Sequence, residues 1–302
     1  MRLDDYDPGD DIRDLGRGGG GGFGGGGGGL GGLLIGFLPM LLGRKMGCGT
    51  ILLIGAVAFF LLGPGANMLS SGGGTADPAA DSRSGANVAC DTASERFACN
   101  VFGSTHTVWE GLISGYRKPT LTFYSHSVDR TACGSASSAM GPFYCPGDQG
   151  VYLDTDFFRD LEQKFGAAGD AAQAYVIAHE VGHHIQTISG ISNQVRQAQQ
   201  RASQAEGNAL QVRMELQADC YAGVWAARAK TAAGQPVMEA GDMEEAMRAA
   251  NAIGDDTLMR SAGQRPVPES FTHGTSEQRM SWLRRGLQSG DPRQCDAFAS
   301  AL

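Results

Sequence analysis

Positive charge is scarce in this chain. Across 302 residues there are 24 Lys and Arg against 32 Asp and Glu, a net charge of -8, and no basic stripe, which excludes nucleic acid as a partner. Histidine is rarer still, at 6, and no C-x-x-C pair occurs, which argues against a cysteine-ligated metal. Residues 18–29 carry no side chain beyond Phe23, so that tract can bury nothing. A full-length apolar span is also missing from residues 30–42, which contain Pro39 and are broken by glycine. Residues 46–62 are free of charge and proline but sit at the short end of what crosses a bilayer. A cleaved signal peptide fits poorly, because its charged region would have to extend over everything ahead of these stretches.

What is present falls into four parts. In residues 1–29, Asp4, Asp5, Asp7, Asp10, Asp11 and Asp14 outnumber Arg2, Arg13 and Arg17, and the glycine tract follows; a disordered, solvated cytoplasmic tail is expected. Residues 30–62 form a hydrophobic membrane segment with one transmembrane helix at about 46–62; residues 30–42 are interfacial or lengthen the anchor. Arg44 and Lys45 immediately precede the span, so the positive-inside rule leaves the tail cytoplasmic and places everything after Leu62 outside a bacterial inner membrane, as a single-pass protein facing the periplasm. A hairpin of two spans would return the domain to the cytoplasm and put Arg44 and Lys45 on the wrong side. Residues 63–86, rich in Gly, Ser, Ala and Pro, read as a flexible tether, and residues 87–302 as one domain.

Of 7 cysteines, Cys48 belongs to the span, and the remaining even number suits disulfides in an oxidising compartment. Proximity favours Cys90 with Cys99 and Cys133 with Cys145, and exclusion then pairs Cys220 with Cys295. Within the domain the spacing predicts a helix over 92–112, a strand over 120–125, a Gly/Ser-rich loop over 133–141, short strands at 143–145 and 150–154, and a helix over 156–165. A helix at 170–188, a polar helix or helix pair over 193–212, an apolar helix from Arg213, and helices at 238–253 and 275–287 complete it. His106 reads as a surface or core histidine and His126 as the end of a strand, neither at metal spacing.

The chemistry is carried by Ala178-His179-Glu180-Val181-Gly182-His183-His184, an H-E-x-x-H motif. Helical spacing puts His179 and His183 on one face, four residues apart, so two imidazoles can share one tetrahedral zinc. Glu180 lies beside them as the general base for water activated by the metal. A helix that merely carries solvated histidines is the alternative. Ala171, Ala174, Tyr175, Ile177, Val181 and Ile185 speak against it, since histidines on an apolar surface need a partner. His184 falls on another face and is expected to meet solvent or to support the site from behind. A hydrolytic zinc takes three protein ligands. Glu215 opens E-x-x-x-D on a buried-looking helix, so it is the candidate third ligand, and Asp219, one turn on, would accept a hydrogen bond from a ligand histidine. Glu206, Glu239, Glu244 and Glu245 read as solvated faces.

H-E-x-x-H followed by E-x-x-x-D is similar to the gluzincin metallopeptidases. Together with the Gly-rich N-terminus, the single membrane span, Gly150-Val151-Tyr152-Leu153-Asp154, the run from Glu215 to Gly223, and Thr272-His273-Gly274-Thr275-Ser276, the chain resembles the bacterial neutral zinc metallopeptidase family over nearly its whole length. The resemblance implies an α+β, zincin-like fold, mainly helical with a small sheet, holding one Zn2+ on His179, His183 and Glu215. Thr272-His273 with Arg279 one to two turns later resembles an arrangement of membrane-associated gluzincins, which makes His273 a candidate hydrogen-bond donor to a developing oxyanion; a histidine that only caps a loop is the alternative. Tyr144 or Tyr152 would line an edge strand that holds an extended peptide. The expected function is hydrolysis of peptide or protein substrates in the cell envelope. A non-catalytic zinc-stabilised scaffold and a hydrolase of a cell-wall amide are the competing readings. Glu180 separates the first from the scaffold, because a structural site has no need of a carboxylate there.

Overall fold

The structure, a computed structural model, describes residues 1–3, 6, 11–15 and 89–299. The expected glycine tract, membrane segment with Cys48, and tether lie outside the described residues. Among the described residues no helix is long and apolar enough to cross a membrane.

The β-rich runs pair as strands β1 (Ile12–Asp14), β2 (Thr120–Phe123), β3 (Ser127–Thr131), β4 (Gly134–Ser137), β5 (Phe143–Cys145) and β6 (Gly150–Leu153). A four-stranded sheet has the order β1-β2-β6-β5, with β1, β2 and β6 parallel and β5 antiparallel at one edge. β3 and β4 form a separate antiparallel pair. The Gly/Ser-rich segment 133–141 is therefore not a bare loop: its small residues hide a strand and a 3-10 turn at Ser138–Met140, and the Cys133–Cys145 disulfide ties the β3–β4 turn to β5. The strand from Thr120 ends at Phe123, short of Ser125, and His126 takes a positive φ of 67.

The acidic N-terminal segment departs furthest from expectation. Its aspartates mask an apolar subset that the domain uses: Leu3 is 2% exposed inside the main core, Ile12 packs against that core, and Ile12–Asp14 adds the edge strand. The Tyr6 hydroxyl donates to the Lys230 carbonyl, and the Met1 ammonium lies 2.6 Å from Asp170 Oδ2. These described parts of the segment are docked on the domain, not solvated.

Helices α1 (Ala93–Leu112), α2 (Asp156–Gln163), α3 (Asp170–Ile188), α4 (Ile191–Gln199), α5 (Gln204–Arg228), α6 (Asp242–Ala252), α7 (Asp255–Ser261) and α8 (Ser276–Ser289) supply the rest, giving a mainly helical α+β architecture. α1, α5 and α8 each start on a capping box, Thr92 with Glu95, Ser203 with Glu206 and Thr275 with Gln278. The helix expected from Met238 begins at Asp242, and α7 escaped prediction because it is only seven residues long, too short to show a period. Cys90–Cys99 and Cys220–Cys295 close the other two disulfides, in the expected pairing.

α3 is buried along nearly its whole length and packs against α5, which in turn packs against α8. Glycine sets the spacing. A Cβ on Gly182 would come within 3.0 Å of the Ala218 backbone, and one on Gly286 would lie 1.9 Å from the Cys220 carbonyl oxygen. An alanine in a helix interior ordinarily gains about 1 kcal/mol over glycine. At Gly286 the clash is with backbone that cannot step aside, so overpacking, at the upper end of about 1–3 kcal/mol, outweighs the gain. Gly286→Ala should lower stability in urea unfolding. Gly207→Ala, where a Cβ meets nothing within 4 Å, should raise it slightly.

Candidate metal centre

α3 carries two imidazoles to one point because both sit on the face that meets α5. His179 Nε2 lies 3.2 Å and His183 Nε2 3.6 Å from Glu215 Oε2. The three ligand atoms all fall within 4.8 Å of one another. Four-coordinate zinc with bonds of about 2.0–2.1 Å has tetrahedral edges of roughly 3.3 Å, so the spacing and the donor types fit that ion. Glu180 is not a member of this group.

The ring nitrogens facing away from the point are all engaged. His179 Nδ1 is 2.8 Å from Asp219 Oδ1, and a carboxylate can only accept, so the proton sits on Nδ1 and the Nε2 lone pair faces the centre. His183 Nδ1 donates to Gln186 Oε1 at 2.9 Å, and Gln186 is oriented by its own donation to the Met214 carbonyl at 2.7 Å. Asp219 in turn accepts from the Tyr175 hydroxyl at 2.6 Å and from Arg279 Nε and Nη2, both at 2.9 Å. Tyr175, Asp219 and Arg279 are all buried.

The same two influences act on both glutamates, with opposite outcomes. Burial pushes the Glu180 carboxyl up, and the nearby histidines only partly offset it, so it ends above the usual carboxylate range. Burial acts on Glu215 too, but His183 and His179 outweigh it and hold Glu215 well below that range. Glu180 thus takes up a proton more readily than Glu215.

His273 reaches the same neighbourhood, within electrostatic range of Glu215. Its loop turns at Gly274, φ 91, where a Cβ would press on Val212 of α5 at 3.1 Å. Asp255 holds that loop, accepting the backbone N–H of Thr272, His273 and Gly274 at 2.7, 2.7 and 3.0 Å, with His273 Nδ1 3.2 Å from Oδ1. His273 is therefore seated by Asp255, which sequence reasoning missed because the pair is far apart in the chain. Gln186 and Tyr175 were also missed, although their i+3 and i-4 spacings from His183 and His179 place them on the ligand face.

His184 does not face solvent. It is fully buried, donates from Nε2 to the Arg117 carbonyl at 2.6 Å, and its Nδ1 accepts from the Tyr144 hydroxyl at 3.1 Å, joining α3 to β5. Tyr144 lies on the edge strand, as expected of one of the two tyrosines, and its backbone acts to lower the Glu180 pKa. Tyr152 is on the interior strand β6, stacked on Phe143 and bonded to Asp148, so it lines no edge. His106 is a core histidine, packed on Phe102 with burial pushing its pKa down to about 3. His126 is exposed. A second acidic group, Asp170, Asp242 and Glu245, is engaged by the Met1 ammonium.

A family model described as "Putative neutral zinc metallopeptidase" matches residues 1–298. The chain is 52% identical over 211 residues to the "Uncharacterized protein YpfJ" of Escherichia coli strain K12, covering 68% of this chain and 72% of that protein. It is 46% identical over 206 residues to the "Uncharacterized protein Mb2605" of Mycobacterium bovis and to the "Uncharacterized protein Rv2575" of Mycobacterium tuberculosis, covering 66% of this chain and 68% of each. No solved structure matches.

Proposed function

From the premise that the chain belongs to the neutral zinc metallopeptidase family, we propose that it is a zinc-dependent peptidase in which His179, His183 and Glu215 hold one Zn2+ and Glu180 is the general base. The observation that carries this reading is the division of labour at the centre. Three donors converge at zinc spacing, while the carboxylate next to them in sequence stands apart and is buried in a setting that favours proton uptake.

Zinc, when bound there, supplies Lewis acidity: it makes a water ionisable near neutrality and polarises a carbonyl. Glu180 accepts the proton released as the water oxygen bonds to the scissile carbon, then delivers it to the amine nitrogen as the C–N bond breaks. His273 donates from Nδ1 to Asp255, so its Nε2 serves as donor to the oxyanion in the imidazolium form, which the Asp255 and Glu215 carboxylates favour against burial. The free edge of β5 offers backbone groups to an extended peptide, with Tyr144 beside the site. The disulfides suit an oxidising envelope compartment, and residues 30–62 suit attachment to the membrane.

The test is zinc content and hydrolysis of casein and a peptide library by the full chain in detergent. One zinc per chain is expected, with activity lost to a chelator and restored by Zn2+. A chain that holds zinc and cleaves no peptide sinks the peptidase reading in favour of the scaffold. His273→Phe should lower kcat by about 10²–10³-fold with zinc retained, the scale of a lost oxyanion donor. Unchanged kcat would reduce His273 to a loop residue.

A further inference from the structure

The described residues on either side of the apolar stretch belong to one folded unit. The join is a β-ladder. Ile12, Arg13 and Asp14 pair in parallel with Leu121, Thr122 and Phe123. Leu121 N–H donates to the Asp11 carbonyl at 2.9 Å, and Leu15 N–H to the Phe123 carbonyl at 3.0 Å. A second attachment lies ahead of the strand: Arg2 N–H donates to the Val237 carbonyl at 2.9 Å, Arg2 Nε meets Glu239 Oε1 at 2.8 Å, and Leu3 is sunk in the core. The segment is thus held at two separate places, the β2 edge and the chain around Val237. Its strand also covers the sheet edge opposite β5, which would otherwise expose a row of unpaired backbone groups.

A single crossing by residues 30–62 would put about 30 Å of hydrocarbon between β1 and the strand it pairs with. No ladder survives that separation. We infer that the N-terminal strand and the zinc-binding domain lie on the same side of the membrane, and that the apolar stretch enters and leaves the bilayer through that one face. The three disulfides put that shared side in an oxidising compartment. The inference rests on the membrane reading of residues 30–62 but not on peptidase activity, so either can fail alone.

The test is cysteine labelling of the full chain in bacterial cells, in a Cys48→Ser background with the paired cysteines kept. Leu15→Cys, at a position 51% exposed, reports the side of the strand, and Val267→Cys, at one 48% exposed, reports the side of the domain. Arg13→Cys, also exposed, is a second reporter in the strand itself. Each is treated with a membrane-impermeant maleimide before and after permeabilisation. The expected result is the same before-to-after ratio at all three positions, with the chain in the membrane fraction. Labelling of Val267→Cys in intact cells with the strand positions reached only after permeabilisation, or the reverse, overturns the inference. Recovery of the chain in the soluble fraction overturns it as well.

Discussion

Glu180→Gln is expected to lower kcat/KM for peptide hydrolysis toward the upper end of the 10²–10⁴-fold range of a lost general base, about 5 kcal/mol of transition-state stabilisation, while the bound zinc stays at one per chain. The size follows from the number of steps the carboxylate serves. Glu180 accepts a proton in the attack and returns it when the amine leaves, and glutamine does neither. Zinc retention follows from geometry: His179, His183 and Glu215 form the converging group without Glu180. The shape of the pocket is kept as well, since glutamine has nearly the size and shape of glutamate. Metal analysis and steady-state kinetics on the two proteins read the outcome. Loss of zinc together with activity would make Glu180 part of the metal's own support, and undiminished activity would end its role as base.

Much of that centre was legible before any coordinates because helical geometry is local. The i, i+4 spacing of His179 and His183, and of Glu215 and Asp219, fixes which side chains share a face whatever the tertiary structure. What was not legible depends on contacts between distant segments. Asp255 seats His273 through three backbone amides, and no pattern in the chain announces that they meet. His184 misled for a related reason. Being off the ligand face suggested water or a supporting place behind the site; α3 is covered on its other sides too, and the ring bridges to β5. The N-terminal strand was hidden by composition: aspartates around Ile12 dominate any average over the window, and only the partner strand reveals that alternate residues pack inward. In the α5–α8 contact the signal was present in Gly223 and Gly286, but glycine is equally a mark of turns, so it did not point to packing.

Asp219→Ala is expected to destabilise the domain by about 3–5 kcal/mol, the usual cost of stranding a buried charge, and to weaken zinc binding by about 10–100-fold through the freed His179 ring. Arg279 is 2% exposed and both its Nε and Nη2 donate to Asp219, so the guanidinium would lose its counter-ion where water cannot replace it. Tyr175 and His179 would lose an acceptor at the same time. In a domain of this size that corresponds to roughly a 10 °C fall in Tm. The pH dependence has a definite sign. Burial pushes the Asp219 carboxyl up, but Arg279 and His179 outweigh it and leave its pKa below the ordinary value. Below about pH 4 the unfolded chain therefore binds a proton at this site that the folded chain refuses. The contribution of Asp219 is complete above that pH and is lost as pH falls through the depressed folded value. Urea unfolding between pH 3 and 7 should show wild type losing stability steeply at the acid end and Asp219→Ala losing less, one proton fewer being linked to unfolding. Asp219→Leu combined with Arg279→Met should recover much of the lost stability, because the burden of the single variant is the unpaired cation and not the missing pair. If the double variant is as unstable as Asp219→Ala, the network is held chiefly by Tyr175 and His179, and Arg279 is incidental to it.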